Sequence, residues 1–366
     1  MAHLNHASFG AVPTTVVAEQ DRWRAIMESN PTGFFWRVLP DAYERARVAA
    51  ARFVGADPDG FAFTPNATTA INTVLASLGL TRGDEVLLTD HGYGAIRLAA
   101  ERACQRTGAT VVVQPVPLPL HETGELRDSV MAGITDRTRL AIVDHIASPT
   151  GVRFPVEELV RDLRQRQVLS LIDGAHAPGM VELDIEALGA DFWTGNFHKW
   201  VCAPRGAAGL YVRAEHRDGI VPLVTSWDAL EGFVKSFGWL GTNDYTAFLT
   251  VPAAIGFMEE LGWERVRRHN HELAAFGAKA LREALGTAPP TDADVFEAMT
   301  IVALPDGVAD TEDETKALSR RIAEAMGAEV AAFPWQGRGY IRLSAQAYNA
   351  PGEYEAVAAG LRTLLS

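Results

Sequence analysis

The sequence predicts an α/β fold: a mostly parallel sheet with helices on both faces, followed by a smaller α+β C-terminal domain. Three observations carry this. Between residue 68 and about 213, helical and strand patterns alternate; the strands are apolar along their whole length; and after about 245 long helical patterns take over. Apolar strands joined through helices imply βαβ crossovers and a sheet covered on both faces.

The elements follow in order. Thr68–Gly79 carries Ile71, Val74, Leu75 and Leu78 on one face, which is helical spacing. Glu85–Asp90 reads as a buried strand, Gly94–Thr107 as a helix and Thr110–Gln114 as a second strand. Arg139–His145 is a third strand, and Val156–Arg166 is a helix opened by Pro155. Val168–Asp173, Asp191–Gly195 and Gly209–Arg213 complete the series of strands. Beyond it the pattern predicts helices over Thr246–Leu261 and Trp263–Leu285, then strand, helix, strand, strand, helix over Ala298–Leu304, Glu312–Met326, Glu329–Phe333, Tyr340–Ser344 and Tyr354–Leu365.

Charge and composition narrow the partners. With 33 basic and 46 acidic residues the net charge is −13 and no basic block stands out, which argues against nucleic acid and anionic membranes. No apolar run is long enough to span a bilayer, and MAHLNHASFG lacks the charged and apolar regions of a signal peptide, so the cytoplasm is the expected compartment. Cys104 and Cys202 form neither a disulfide framework nor a CxxC pair.

In such sheets ligands collect beyond the carboxyl ends of the strands, so the residues there are the ones to read. One strand ends in Asp173-Gly174-Ala175-His176, and the next runs into Asn196-Phe197-His198-Lys199-Trp200. A lysine among aromatic neighbours is desolvated, which lowers its pKa and makes it a Schiff-base nucleophile; a buried Asp can hold a pyridinium nitrogen. A lone lysine is usually a solvated surface charge, but Lys199 between His198 and Trp200, after the DGAH strand end, argues otherwise. Asn66-Ala67-Thr68-Thr69 opens the first clear helix and offers an anion seat; an ordinary cap is the bland alternative. His91-Gly92-Tyr93 places a flat side chain where a planar cofactor can stack.

At this point the residues carry a resemblance. DGAHAPG (173–179), TGNFHKW (194–200), NATT (66–69) and IRLSAQAYN (341–349) resemble the class V aminotransferase group of fold-type I pyridoxal-phosphate enzymes. LNHASFGAVP (4–13), SPTG (148–151) and CAPRGAAGLYVR (202–213) resemble the isopenicillin N epimerase branch within it, and the likeness covers nearly the whole chain. It implies an N-terminal segment near the active site over residues 1–20, a large cofactor-binding α/β domain over 21–245 and a small α+β domain over 246–366. It also implies pyridoxal 5'-phosphate as cofactor, with Lys199 as its Schiff-base partner and then as the general base and acid at Cα. Asp173 would pair with the ring nitrogen, and His176 would touch the ring hydroxyl. Asn66, Ala67, Thr68, Thr69, Asn196 and His198 would form the phosphate seat, with Ser148 nearby. Either His91 or Tyr93 would stack on the ring. Thr242 would reach the phosphate of the other subunit in a homodimer, and Arg342, with Asn5, would hold the α-carboxylate of an amino-acid substrate. The expected activity is epimerase-type chemistry at Cα. The alternatives are C–S β-elimination from a cysteine conjugate, transamination and oxidative deamination.

Two departures qualify the resemblance. Asn243 stands where the epimerase branch often has Arg, and the stretch Phe333–Tyr340 lacks the nucleophilic cysteine of the desulfurases. Cys202 and Cys104 read as buried small residues. His269 and His271 lie i,i+2 on a helix and face apart, and HExxH and GxSxG are both missing, so metal and serine-hydrolase chemistry are not expected. The aromatic group Trp227, Phe233, Phe237 and Trp239 lines a substrate cleft or packs an interface; the sequence leaves both open.

Overall fold

The computed structural model describes residues 1–365. The chain opens with β1 (Ala2–His3), α1 (His6–Phe9) and α2 (Thr14–Ser29), then a bent helical run of α3 (Pro31–Gly33), a π-helical turn (Phe34–Val38) and α4 (Leu39–Phe53). Next come β2 (Phe61–Thr64), α5 (Ala67–Ser77), β3 (Glu85–Thr89), α6 (Gly94–Thr107), β4 (Thr110–Gln114), α7 (Gly124–Ala132) and β5 (Thr138–Asp144). They are followed by α8 (Val156–Gln165), β6 (Leu169–Asp173), α9 (Ile185–Leu188), β7 (Phe192–Asn196) and β8 (Ala208–Val212). The remainder is α10 (Phe233–Gly238), α11 (Thr246–Leu261), α12 (Trp263–Leu285), β9 (Met299–Ala303), α13 (Glu312–Met326), β10 (Ala328–Glu329), β11 (Ala331–Trp335), β12 (Arg338–Ser344) and α14 (Pro351–Leu365).

Seven strands form the central sheet in the order β2-β8-β7-β6-β5-β3-β4. All run parallel except β8, which is antiparallel to both of its neighbours. The cause is local: β7 and β8 are joined by the turn 197–207 rather than by a crossover helix, and only an antiparallel strand can follow so short a link. That exception matters, because the turn carries Lys199.

Successive strand side chains alternate between two cores. Leu140 and Ile142 face a layer with Ile71 and Val74 of α5 and Ile96 and Ala100 of α6, while Ala141 and Val143 face α4, α8 and α11. Each Leu or Ile so buried contributes about 1.5–3 kcal/mol. Helix α8 shows why these segments are helical: Val156, Leu159, Val160 and Leu163 repeat on one buried face, Glu157 and Glu158 sit in its first turn, and Arg164 sits in its last. Helix α11 packs on α2 and α4 within this same core.

A second sheet, β11-β12-β9, is antiparallel and is covered by α12, α13 and α14 around Leu273, Leu281, Ile322, Val357 and Leu361. The single strand expected over Glu329–Phe333 is two. Val330 separates β10, which pairs in parallel with β1, from β11, which pairs with β12. Residues 2–3 are thereby stitched to the C-terminal part of the chain. Among the described residues no helix is long and apolar enough to cross a membrane.

Candidate active site

At the carboxyl edge of the central sheet a cavity of about 440 Å3 opens between the strand ends and β12. Asp144 ends β5 and Asp173 ends β6 in direct register, so both side chains lie on one face. Asn196 ends β7, and the turn after it brings His198 and Lys199 to the same cavity.

Two glycines let this turn pack tightly. Gly10 has φ +68°, and a Cβ there would stand 2.2 Å from the His198 carbonyl oxygen; Gly179 has φ +87° and would meet the Trp200 backbone at 2.8 Å. Both positions need glycine for conformation and for space. Gly10→Ala is expected to destabilise the protein by roughly 2–4 kcal/mol, through positive φ and a backbone clash. A denaturant midpoint within error of the wild type would refute this.

The Lys199 amine lies 3.0 Å from Nε2 of His176. Burial and the nearby Arg342 guanidinium pull the lysine pKa down to about 7, against the opposing pull of Asp173 and Asp144. The His176 pKa is pushed well down by burial and by Lys199, so its ring is neutral. Trp200 Nε1 donates to His176 Nδ1 at 3.3 Å, which places the ring proton on Nε2, where it is donated to the neutral lysine nitrogen. In its neutral form the amine then has its lone pair engaged and its orientation fixed.

Asp173 Oδ1 accepts from the Ala175 amide at 3.0 Å, and burial raises the carboxyl pKa. At the start of α5, Asn66 Oδ1 caps the helix by accepting from the Thr69 amide (2.8 Å) and hydroxyl (3.0 Å). Asn196 Oδ1 takes the Ala67 amide at 3.0 Å. The Thr68 amide and hydroxyl are left beside the cavity with no protein partner, at the positive end of an 11-residue helix. His198 lines the same corner. Its Nδ1 faces the Ala207 carbonyl at 2.9 Å, and burial lowers its pKa to about 4; a phosphate seated there would raise it again.

On the opposite wall, Arg342 of β12 is buried. Its guanidinium donates to the Ser148 carbonyl, to Ser8 Oγ at 2.9 Å and to Asn5 Oδ1 at 3.2 Å. Among the described residues its Nε has no hydrogen-bond partner, and its guanidinium is held by neutral acceptors. Burial lowers even this pKa to about 10. A buried guanidinium held by neutral acceptors alone is built to receive an anion.

The structure therefore brings Asn66, Ala67, Thr68, Tyr93, Ser148, Asp173, His176, Asn196, His198, Lys199 and Arg342 to one cavity. It leaves four of the expected residues outside its lining. Thr69 is consumed in capping α5. His91 turns inward: its nitrogens meet Thr150 Oγ1 and the Val116 carbonyl, both at 2.8 Å, and its ring packs edge-on against Trp335. His91 is thus a satisfied core residue, and Tyr93, 48% exposed, is the aromatic that lines the cavity. Thr242 is exposed and outside the cavity of its own chain. Asn5 reaches the cavity only through Arg342.

Ser8 and Phe9 also line the cavity, within the 1–20 segment expected near the site, and so does Asp144, which the sequence analysis did not single out. Asp144 carried a legible signal, since it ends its strand as Asp173 ends the next. Buried Cys202 has its thiol pKa pushed up to about 12, so it is no nucleophile. Trp227 and Trp239 line a different groove of about 420 Å3 with Phe35 and Trp36, while Phe233 and Phe237 are core. Asp191, Glu215 and His216 cluster closely, but Arg213 already pairs with Asp191 at 2.6 Å.

The donor set fits pyridoxal phosphate: an amine poised near neutrality, a buried carboxyl for a ring nitrogen, a flat side chain, and partnerless donors at a helix start. Comparisons with known proteins agree. The family model for aminotransferase class-V matches residues 37–357. A putative L-cysteine desulfhydrase of Oryza sativa subsp. japonica is 33% identical, over 97% of this chain and 81% of its own. The isopenicillin N epimerase of Amycolatopsis lactamdurans is also 33% identical, over 100% of this chain and 95% of its own. Among solved structures, the cystine C-S lyase C-DES in complex with its reaction product cysteine persulfide superposes with a TM-score of 0.85 at 21% identity. That superposition covers 98% and 97% of the two chains and is a likeness of fold. The lysine, the carboxyl and the helix start follow the ends of β7, β6 and β2 at one sheet edge, and the family match over most of the chain, with a relative 33% identical along all of it, gives the family: the chain belongs to the class-V aminotransferases.

Proposed function

We propose that this protein is a pyridoxal-phosphate enzyme that removes the Cα proton of a small amino acid and releases a sulfur leaving group from Cβ, a C–S β-lyase. When bound, the cofactor supplies an electron sink for the pair left by the departing Cα proton. Asp173 holds the ring nitrogen, and Thr68, Asn196 and His198 hold the phosphate. Arg342 clamps the substrate carboxylate by its planar fork, and Ser148, Ser8 and Asn5 fix that fork in place. Lys199 takes the Cα proton, and the His176 proton at Nε2 keeps its amine oriented between transfers.

The observation that carries the lyase reading is the Lys199–His176 pair, one proton-transfer centre on one wall. β-Elimination needs one such base, whereas inversion at Cα needs a proton returned from the opposite side. Arg342 is also the only guanidinium lining the cavity among the described residues, which suits a substrate with a single carboxylate. The epimerase reading has one observation of its own, the Tyr93 hydroxyl at the same cavity, a second acid.

Incubation with L-cysteine decides between them. The lyase reading expects sulfide, pyruvate and ammonia in equal amounts. Deuterium exchange at Cα of an amino acid with inversion and without these products overturns it in favour of the epimerase reading.

The pH dependence follows from the lysine. Only the neutral amine attacks an aldehyde, and its fraction rises with pH through about 7. Covalent capture of pyridoxal phosphate by the free protein should therefore accelerate up to about pH 8 and then level off. A rate still climbing toward pH 10 would mean an ordinary surface lysine.

The same reading includes a homodimer. A second copy on the Trp227–Trp239 groove would cover exposed Trp36 and Trp227 and bring Thr242 to the partner's phosphate seat. Light scattering that gives the mass of one chain would contradict this.

A further inference from the structure

Two carboxyl groups, not one, stand at the sheet edge facing Lys199. Asp144 and Asp173 are register partners on neighbouring parallel strands; both are buried and both line the cavity. Their surroundings differ. Asp173 accepts a hydrogen bond from the Ala175 amide at 3.0 Å, which stabilises a negative charge. The Asp144 carboxyl has no side-chain partner and only its own amide nearby, and a Cβ on Gly92 would lie 3.6 Å from its Oδ2.

We propose that Asp144 is a positioning residue acting through Asp173: the two carboxyls share one proton, held on Asp144, so that the strand ends present a single negative charge and keep it on Asp173. The inference rests on the pyridoxal-phosphate reading for its purpose, since that charge is the one offered to the ring nitrogen. The charged groups facing Asp144 are Asp173 from β6 and Lys199 from the turn 197–207, Lys199 in turn lying near Arg342 and 3.0 Å from His176, while Tyr93 lines the same cavity. Lys199 is near its own midpoint at neutral pH and cannot balance two carboxylates at once. Like charges on adjacent strand ends cannot both ionise cheaply, and burial together with Asp173 raises the Asp144 carboxyl well above its usual range. Each carboxyl has one backbone amide, but Asp173 takes the Ala175 amide in a formed hydrogen bond while Asp144 has only its own, which favours the proton on Asp144.

The linkage has a definite sign. Unfolded, Asp144 ionises near its ordinary value; folded, it does so only at higher pH. Between those values the unfolded chain binds fewer protons, so stability falls as pH rises through that window and levels off above it. Asp144→Asn keeps the neutral shape and removes the penalty.

The test uses the full chain without cofactor and then with pyridoxal phosphate. Melting temperatures from about pH 5 to 8 should decline less steeply in Asp144→Asn than in the wild type, with the variant more stable at the upper end. Affinity for pyridoxal phosphate at pH 7 should stay within about threefold in Asp144→Asn and fall at least about tenfold in Asp173→Asn. Two results overturn the proposal. One is a uniform loss of stability in Asp144→Asn with an unchanged pH slope, which marks a purely structural side chain. The other is a loss of cofactor affinity as large as in Asp173→Asn, which puts the charge on Asp144. A wild type that binds no pyridoxal phosphate would end the functional reading, while the melting slopes would still judge the shared proton.

Discussion

Lys199→Ala abolishes covalent capture of pyridoxal phosphate and lowers turnover by at least about 10^4-fold, because one side chain serves as both nucleophile and base. The expectation follows from the site's proton inventory. His176 is neutral, buried and already engaged by Trp200, so it cannot inherit the role. Lys199→Arg is expected to fail equally, since a guanidinium stays protonated and is no nucleophile. The fold should survive, because the amine's one side-chain partner is His176 and the turn is held by backbone and glycine contacts. Borohydride trapping and a thermal melt check both halves. Substantial turnover by a folded Lys199→Ala would place the chemistry elsewhere.

Arg342→Leu should raise the KM for an amino-acid substrate by about 100-fold or more, with a smaller effect on kcat. Two charge-assisted hydrogen bonds in a water-poor cavity are at stake, each about 1.5–3 kcal/mol. Arg342→Lys keeps the charge but loses the fork and should fall between the two. Stability should fall only modestly, by about 1–3 kcal/mol, because Leu relieves a buried guanidinium with an unpartnered Nε but leaves the Ser148 carbonyl without its donor. A KM change under about threefold would remove Arg342 from the clamp.

Most of the central sheet was legible because its strands are uniformly apolar and its helices carry one-sided apolar spacing; α6, β4, α11, α12 and α13 fall on the expected residues. What escaped has physical reasons. The helices α2 and α4 lie before the alternation starts, and α2 buries only Val16 outright, so its pattern is faint. The reversal of β8 depends on the length of the 197–207 turn, a property of tertiary pairing. The break at Val330 exists only because β1, over 300 positions earlier, pairs with β10. The shift in pattern at 246 marks the end of strand alternation, yet α11 still packs in the first core.

In the site, Lys199, Asp173, Thr68 and Arg342 were readable because local motifs surround them. The choice between His91 and Tyr93 was not, because it depends on which way the turn at Gly92 rotates each ring. The approach of the 1–20 segment was expected from LNHASFGAVP, but not which of its side chains, Ser8 and Phe9 among them, line the cavity, because that depends on how the chain folds back on β12.

The pairing of residues 2–3 with β10, and of Asn5 and Ser8 with Arg342, orders events during synthesis. Residues 2–8 leave the ribosome some 300 codons before their partners in β10 and β12, roughly 15–60 s earlier at ordinary elongation rates. A nascent chain displays the complete sheet edge with Lys199 well before β12 emerges. Arg342 thus meets Asn5 and Ser8 only after these distant parts of the fold are joined. The wall of the cavity built on β12 is therefore completed late in folding, by contacts between segments far apart in sequence.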